Sequence, residues 1–225
     1  MHNRKQFQVD RVAFFSDAVI AIAITLMVLE IKIPPIEAGI SLNDLIAKYA
    51  ATFLLHSTAL FICFVTIGNL WIKHHDLYEH IVDYNKALIK SNLYFLLSIV
   101  LLPISISFLF EQQSPVWLKL FTYFLNLAIC NLTYFLMLRV VFHDKYNFSV
   151  LKDEKLIVKN KRSTLIATVA FTATALLALL KISWFYVPLF TFVVVRIINR
   201  RIIYREKNNK SHHVKDKPHG EKVAG

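Results

Sequence analysis

The sequence predicts an all-α integral membrane protein of six transmembrane helices. Three observations carry this. Hydrophobic residues make up 56% of the 225 positions, charged residues only 18%, and mean hydropathy is +0.49. Soluble domains run at about 45–50% apolar and about 25% charged. Several apolar runs approach or exceed the ~20 residues that cross a ~30 Å hydrocarbon core. Finally, the polar and basic residues collect between these runs rather than within them, which is the layout of a multi-pass chain.

The spans fall at about 12–33, 46–72, 88–110, 116–142, 163–181 and 183–204. Pro34-Pro35 ends the first, because neither proline donates a helical hydrogen bond. Ser41, Asn43 and Asp44 offer caps for the second. Pro103 lies inside the third, where a kink is tolerated if neighbours satisfy the freed carbonyl. Pro115 opens the fourth, and a tight hairpin around Lys181 and Ser183 joins the fifth to the sixth. The spans occupy residues 1–205. The remainder, 206–225, reads as a basic, disordered tail with almost no apolar residues.

Orientation follows from the basic residues. All but four of the 26 Lys and Arg (Lys32, Lys48, Lys119 and Lys181) fall on the side that carries both termini, so both termini are expected in the cytoplasm. The net charge of +11 therefore reflects topology rather than nucleic-acid binding. The basic run Arg196 to Arg205 suits anionic lipid headgroups at the cytoplasmic face. Arg4, Lys5 and Arg11 precede the first apolar run, but no convincing cleavage site follows it, so the first span is read as retained. Cys63 and Cys130 lie inside apolar spans and read as small buried hydrophobes, with no disulfide framework and no metal pair. No second copy of the opening stretch is visible, so the inverted-repeat logic of many secondary transporters finds no support.

The first span carries the most informative stretch. Ser16 and Asp17 sit within its leading edge, and a carboxylate at the centre of a membrane helix costs about 2.5–3.5 kcal/mol on insertion scales. At about 100° per residue, Phe15, Ala18, Leu26 and Leu29 fall within about 40° of Ile22, and Thr25 about 60° away. Ser16 and Asp17 lie about 120° and 140° off that line. One stripe is thus apolar with a single hydroxyl, and the acid points elsewhere. Periodicity alone leaves lipid, protein and a pore open as what the stripe meets.

The second span ends in Trp71-Ile-Lys-His74-His75-Asp76, which sets Trp71, His74 and His75 on one face. Both this end and the start of the first helix are cytoplasmic by charge. His75 or His74 can therefore reach Asp17 or Ser16 across the helix pair, and an imidazole or indole N–H donated to the carboxylate would offset its desolvation. Structural locking is the first reading of that network, and a histidine pH switch the second.

Other chemistries find little support. His75-Asp-Leu-Tyr-Glu79-His80 is one residue too long for either zinc-protease pattern. With four glycines in the chain there is no nucleophile elbow or phosphate loop. Thr66-Ile-Gly68-Asn69 lacks the second glycine of a carbonyl filter and lies inside a continuous span. Neither an enzyme nor a cofactor is expected.

Arg11-x-x-x-Phe15-Ser16-Asp17, followed by Ala21-Ile-Ala-Ile-Thr25-Leu and Leu29-Glu30, resembles the signature of the transmembrane protein 175 family of endolysosomal potassium channels. Trp71-x-x-His74-His75 is similar to the same family's second-span pattern. One six-span unit, rather than two, resembles a prokaryotic member and implies residence in the cell membrane. The resemblance implies a passive, potassium-permeable homotetramer whose four first helices line a central pore, with no carbonyl filter loop. Ile22, Leu26 and Leu29 are then the narrow lining, Thr25 a polar ring and Ile22 the constriction. Arg11, Phe15, Ser16 and Asp17 become bracing residues, held with Trp71, His74 and His75. The alternative of another class is a proton-coupled secondary transporter using Asp17 and His75; a non-transporting scaffold is a third.

Overall fold

A computed structural model describes residues 2–30, 41–111, 113–143, 146, 148–150 and 154–180. The expected sixth span (183–204), the tail (206–225), the fifth-to-sixth hairpin and positions 31–33 of the first span lie outside the described residues.

Every described element is helical apart from one isolated bridge. The first helix, α1, runs His2–Leu26 and tightens into a 3₁₀ turn over Met27–Glu30. It starts ten residues before the expected span because the polar segment 2–11 contains neither glycine nor proline and simply continues the helix. A membrane boundary and a helix boundary are different things here. Val9, Ser16, Ile20 and Ala23 are buried along one face of it, at the spacing of a single helical stripe.

α2 spans Leu42–Tyr78. Ser41 caps it through Oγ, which accepts from the Asp44 N–H at 3.2 Å. At 37 residues it extends about 55 Å, well beyond a bilayer core. α3, Lys86–Val100, is capped by Asn85. α4, Leu102–Phe110, continues it after a break at Leu101, with Pro103 in its first turn. Leu101 keeps helical dihedrals and the Leu101 and Ser105 N–H groups still bond four residues back, so the span continues through the interruption at the proline. α5 runs Val116–Val141 and α6 Glu154–Leu179.

Among the described residues, four segments are long and apolar enough to cross a membrane: α2, α3 with α4, α5, and α6. α1 is not among them, since every 18-residue stretch of it includes Asp10, Arg11 and Asp17.

The core lies between α3, α4 and α5, where Phe95, Ile99, Leu102, Ile106, Met137 and Leu138 are fully buried. Polar ties cross the same interface. Ser98 and Thr133 hydroxyls lie 3.1 Å apart, and Asn126 Nδ2 donates to Ser105 Oγ at 3.1 Å. Each satisfies a group that would be costly to leave bare among apolar neighbours. Cys63 and Cys130 are free and buried. At the end of the bundle that carries Lys73, the α2–α3 and α5–α6 loops join: Val82 N–H donates to Phe148 O at 2.8 Å and Val150 N–H to His80 O at 3.0 Å.

Candidate functional site

The motif residues of α1 divide between its two faces. Ser16 is fully buried and Asp17 half-buried, both turned towards α2 and α3. Trp71 Nε1 donates to Asp17 Oδ1 at 2.8 Å. Of the three candidate N–H donors on the end of α2, the indole is the one that meets the acid. Among the described residues no hydrogen bond joins Asp17 to His74 or His75.

His74 serves a second line of contacts, through a residue that the motif did not include. Asn92 Nδ2 donates to Ser16 Oγ at 2.8 Å, and His74 Nε2 lies 2.9 Å from Asn92 Oδ1. Ser16 Oγ in turn donates to the Val12 carbonyl at 2.8 Å. With the amide nitrogen of Asn92 turned to Ser16, its oxygen faces the ring, so His74 Nε2 carries the hydrogen. His74 is 1% and Asn92 1% exposed, so neither can exchange this partner for water. The ring also stacks on Tyr78 and Phe95, at centroid distances of 4.3 and 5.6 Å. Three helices therefore meet at Ser16, Asn92 and His74, and a fourth element is tied in where Tyr134 Oη of α5 donates to the Lys73 carbonyl at 2.8 Å.

His75 is exposed and rests against Trp71, with ring centroids 5.4 Å apart. Arg11 is exposed, as is Phe15. A single asparagine in an apolar span carries no motif, but a buried amide near the start of α3 requires partners, and that was the one signal available. His56, midway along α2, was also passed over; its Nδ1 lies 2.8 Å from the Thr52 carbonyl, within its own helix.

On the other face of α1, Ile22 is 59% and Leu29 77% exposed in the single chain, with Thr25 and Leu26 exposed between them. Phe7, Arg11, Phe15 and Ala18 continue this outward stripe. Thr25 Oγ1 donates to the Ile22 carbonyl at 2.9 Å. The middle of α2 is also bare, with Phe53, Leu54, Phe61 and Phe64 exposed. An apolar face of this extent is a lipid or protein contact.

At the basic end, the N-terminal turns of α1 are held by Lys5, whose Nζ pairs with Asp83 Oδ2 at 2.5 Å. That bond, with the Tyr84 N–H donated to the same carboxylate at 2.8 Å, holds the Asp83 carboxyl below its ordinary range. At the opposite end Glu111 accepts the Gln113 and Ser114 N–H groups, and its Ser114 contact depresses its pKa most.

Among the described residues, four helical segments of membrane length, and one further helix turning an apolar stripe outward, define a multi-pass membrane protein. Residues 11–103 match the model of the family described as endosomal/lysosomal potassium channel TMEM175. Among curated proteins it is similar to a potassium channel of Chryseobacterium sp., with 29% identity over 146 residues covering 64% of this chain and 70% of that one. It is also similar to a potassium channel of Streptomyces collinus, with 32% identity over 93 residues, 41% of this chain and 43% of the relative. Among solved structures, the crystal structure of a lysosomal potassium-selective channel TMEM175 homolog from Chamaesiphon minutus aligns with a TM-score of 0.70. That alignment covers 88% of this chain and 99% of the other at 19% identity, and it speaks for the fold.

Proposed function

We propose that this protein is a passive, potassium-permeable cation channel, a homotetramer of six-span chains with α1 of each chain around a central pore. The single observation that carries the reading is the outward stripe of α1. Ile22, Leu26 and Leu29 lie bare in one chain, on the helix whose motif the family match begins with at residue 11. The curated relatives are named potassium channels. One chain has no closed path for an ion, so conduction needs copies arranged about an axis.

In this arrangement rings of Ile22, Leu26 and Leu29 form a narrow apolar constriction that opens by small helix movements and closes by dewetting. Thr25 is the polar ring. Its hydroxyl hydrogen is committed to the Ile22 carbonyl, so the oxygen lone pairs are what an ion meets, and a ring of acceptors suits a cation. Backbone carbonyls of α1 are engaged within the helix, so no carbonyl filter operates and discrimination rests on ring size and dehydration. Ser16, Asp17, Trp71 and His74 brace α1 from behind, with Arg11, Phe15 and His75 completing the motif around them. The termini and the 206–225 tail face the cytoplasm, where the basic residues meet anionic lipid.

A proton-coupled transporter using Asp17 and His75 finds less support. The Asp17 hydrogen bond goes to an indole, which donates but does not relay a proton. Reconstitution separates the two readings. A channel gives potassium flux that follows the electrochemical gradient without saturable coupling to protons, from a particle of tetrameric mass. Saturable, proton-driven uptake abolished by Asp17→Asn would sink the channel reading.

A further inference from the structure

Behind the bracing contacts, on the side of α2 that faces α5 and α6, lies a cavity of about 290 Å³ that the channel reading leaves unused. α2 contributes Lys73 and Asp76, His80 follows its last turn, and α6 contributes Asn160 and Thr164 from one face. The cavity sits where the apolar run of α2 ends, at the basic end of the bundle, and Leu77, Phe142 and Leu156 complete its wall.

Three groups in it lack partners. Among the described residues neither the Lys73 ammonium nor the Asp76 carboxylate forms an ion pair or hydrogen bond, although they are one helical turn apart. His80 Nδ1 is buried with no hydrogen bond. Tyr134 Oη, by contrast, is already engaged by the Lys73 carbonyl. Lys73 and Asp76 are exposed and so free to meet a ligand, whereas the buried His80 ring nitrogen is costly to leave bare, and a polar ligand in the cavity completes all three.

We propose that this cavity binds a zwitterionic phosphoethanolamine group. Its phosphate meets Lys73 and the donors of His80, Asn160 and Thr164, and its primary ammonium meets Asp76. A simple anion would leave Asp76 opposed to it, and a simple cation would leave Lys73 so. Only a ligand bearing both charges satisfies both walls. Position favours the lipid source: the cavity is level with the end of the apolar run, flanked by apolar side chains that suit the glycerol and first methylenes of a phospholipid. Binding here is independent of conduction, so its failure would not touch the channel reading.

The test is lipid retention by the purified full chain, read by native mass spectrometry after exposure to phosphatidylethanolamine, phosphatidylcholine or phosphatidylglycerol. Phosphatidylethanolamine is retained preferentially, because the choline ammonium has no N–H for Asp76 and the glycerol headgroup has no cation. Asp76→Asn reduces that preference about tenfold and Lys73→Gln weakens retention of all three, as expected for loss of one charge-assisted bond. If either variant fails to assemble, Thr164→Val and Asn160→Ala, which remove neutral donors, lower phosphatidylethanolamine retention in its place. Competition by soluble O-phosphoethanolamine distinguishes a free ligand from a lipid: displacement at equal concentration identifies the soluble form. Equal retention of the three lipids, or a preference that no variant alters, overturns the proposal.

Discussion

The Trp71 indole nitrogen lies 2.8 Å from Asp17 Oδ1 across 54 residues of sequence. It ties the start of the apolar part of α1 to the polar end of α2, and it gives the Asp17 carboxylate a donor in place of water. Trp71→Phe keeps the ring and removes the N–H. It should destabilise the assembled protein by about 1–3 kcal/mol, the usual cost of stranding a partly buried polar partner. Asp17→Asn should cost less, because the amide oxygen still accepts. Thermal unfolding followed by size-exclusion chromatography checks the order; Trp71→Phe melting with wild type would contradict it.

Asn92 joins Ser16 to His74, and both flanking groups are buried. Asn92→Leu strands the His74 N–H and should cost about 1–3 kcal/mol. Adding His74→Phe should recover part of that loss, since removing both partners is cheaper than removing one. Additive losses in the double variant would show that the two residues do not act as a pair.

The Lys5–Asp83 pair predicts a weak acid dependence. Its bond to Lys5 lowers the folded pKa of Asp83 below the unfolded value of 3.8. The stabilisation is therefore present above that pKa and is lost as pH falls through the lower, folded one. The side chains are 58% and 29% exposed, so solvent screening limits the pair to less than about 1 kcal/mol. Asp83→Asn should melt slightly below wild type at neutral pH and low salt, and level with it in strong acid or high salt. A deficit independent of both would assign the contact no electrostatic role.

Thr25 supplies the one hydroxyl of the outward stripe. Thr25→Val should lower potassium flux several-fold and narrow any preference for potassium over sodium, whereas Thr25→Ser should retain both. Flux assays with each cation in turn measure this. Equal behaviour of Thr25→Val and Thr25→Ser would remove the hydroxyl from the account.

Much of this molecule was legible before its structure. Apolar run length located α2, the divided α3–α4 span, α5 and α6, because membrane thickness imposes a length that composition reveals. The wheel separated Ser16 and Asp17 from Ile22 and Leu29, since a helix fixes which side chains share a face. Contacts across helices were less accessible. Trp71, His74 and His75 share one face, and the histidines were expected to reach Asp17 or Ser16; the indole meets Asp17 instead, while His74 turns to Asn92. Asn92 went unnoticed because an isolated amide reveals its importance only through the buried groups around it. The early start of α1 at His2 was missed for another reason: hydropathy reports where a membrane begins, not where a helix does.

The most direct measurement of the central claim is potassium flux into liposomes holding the purified protein, compared between wild type, Ile22→Asn and Leu29→Asn. If α1 lines the pathway, a polar ring at either level hydrates the constriction, and flux should rise at least several-fold in a particle of unchanged mass. Flux unchanged in both variants, with assembly intact, would contradict the assignment of this stripe to the pore.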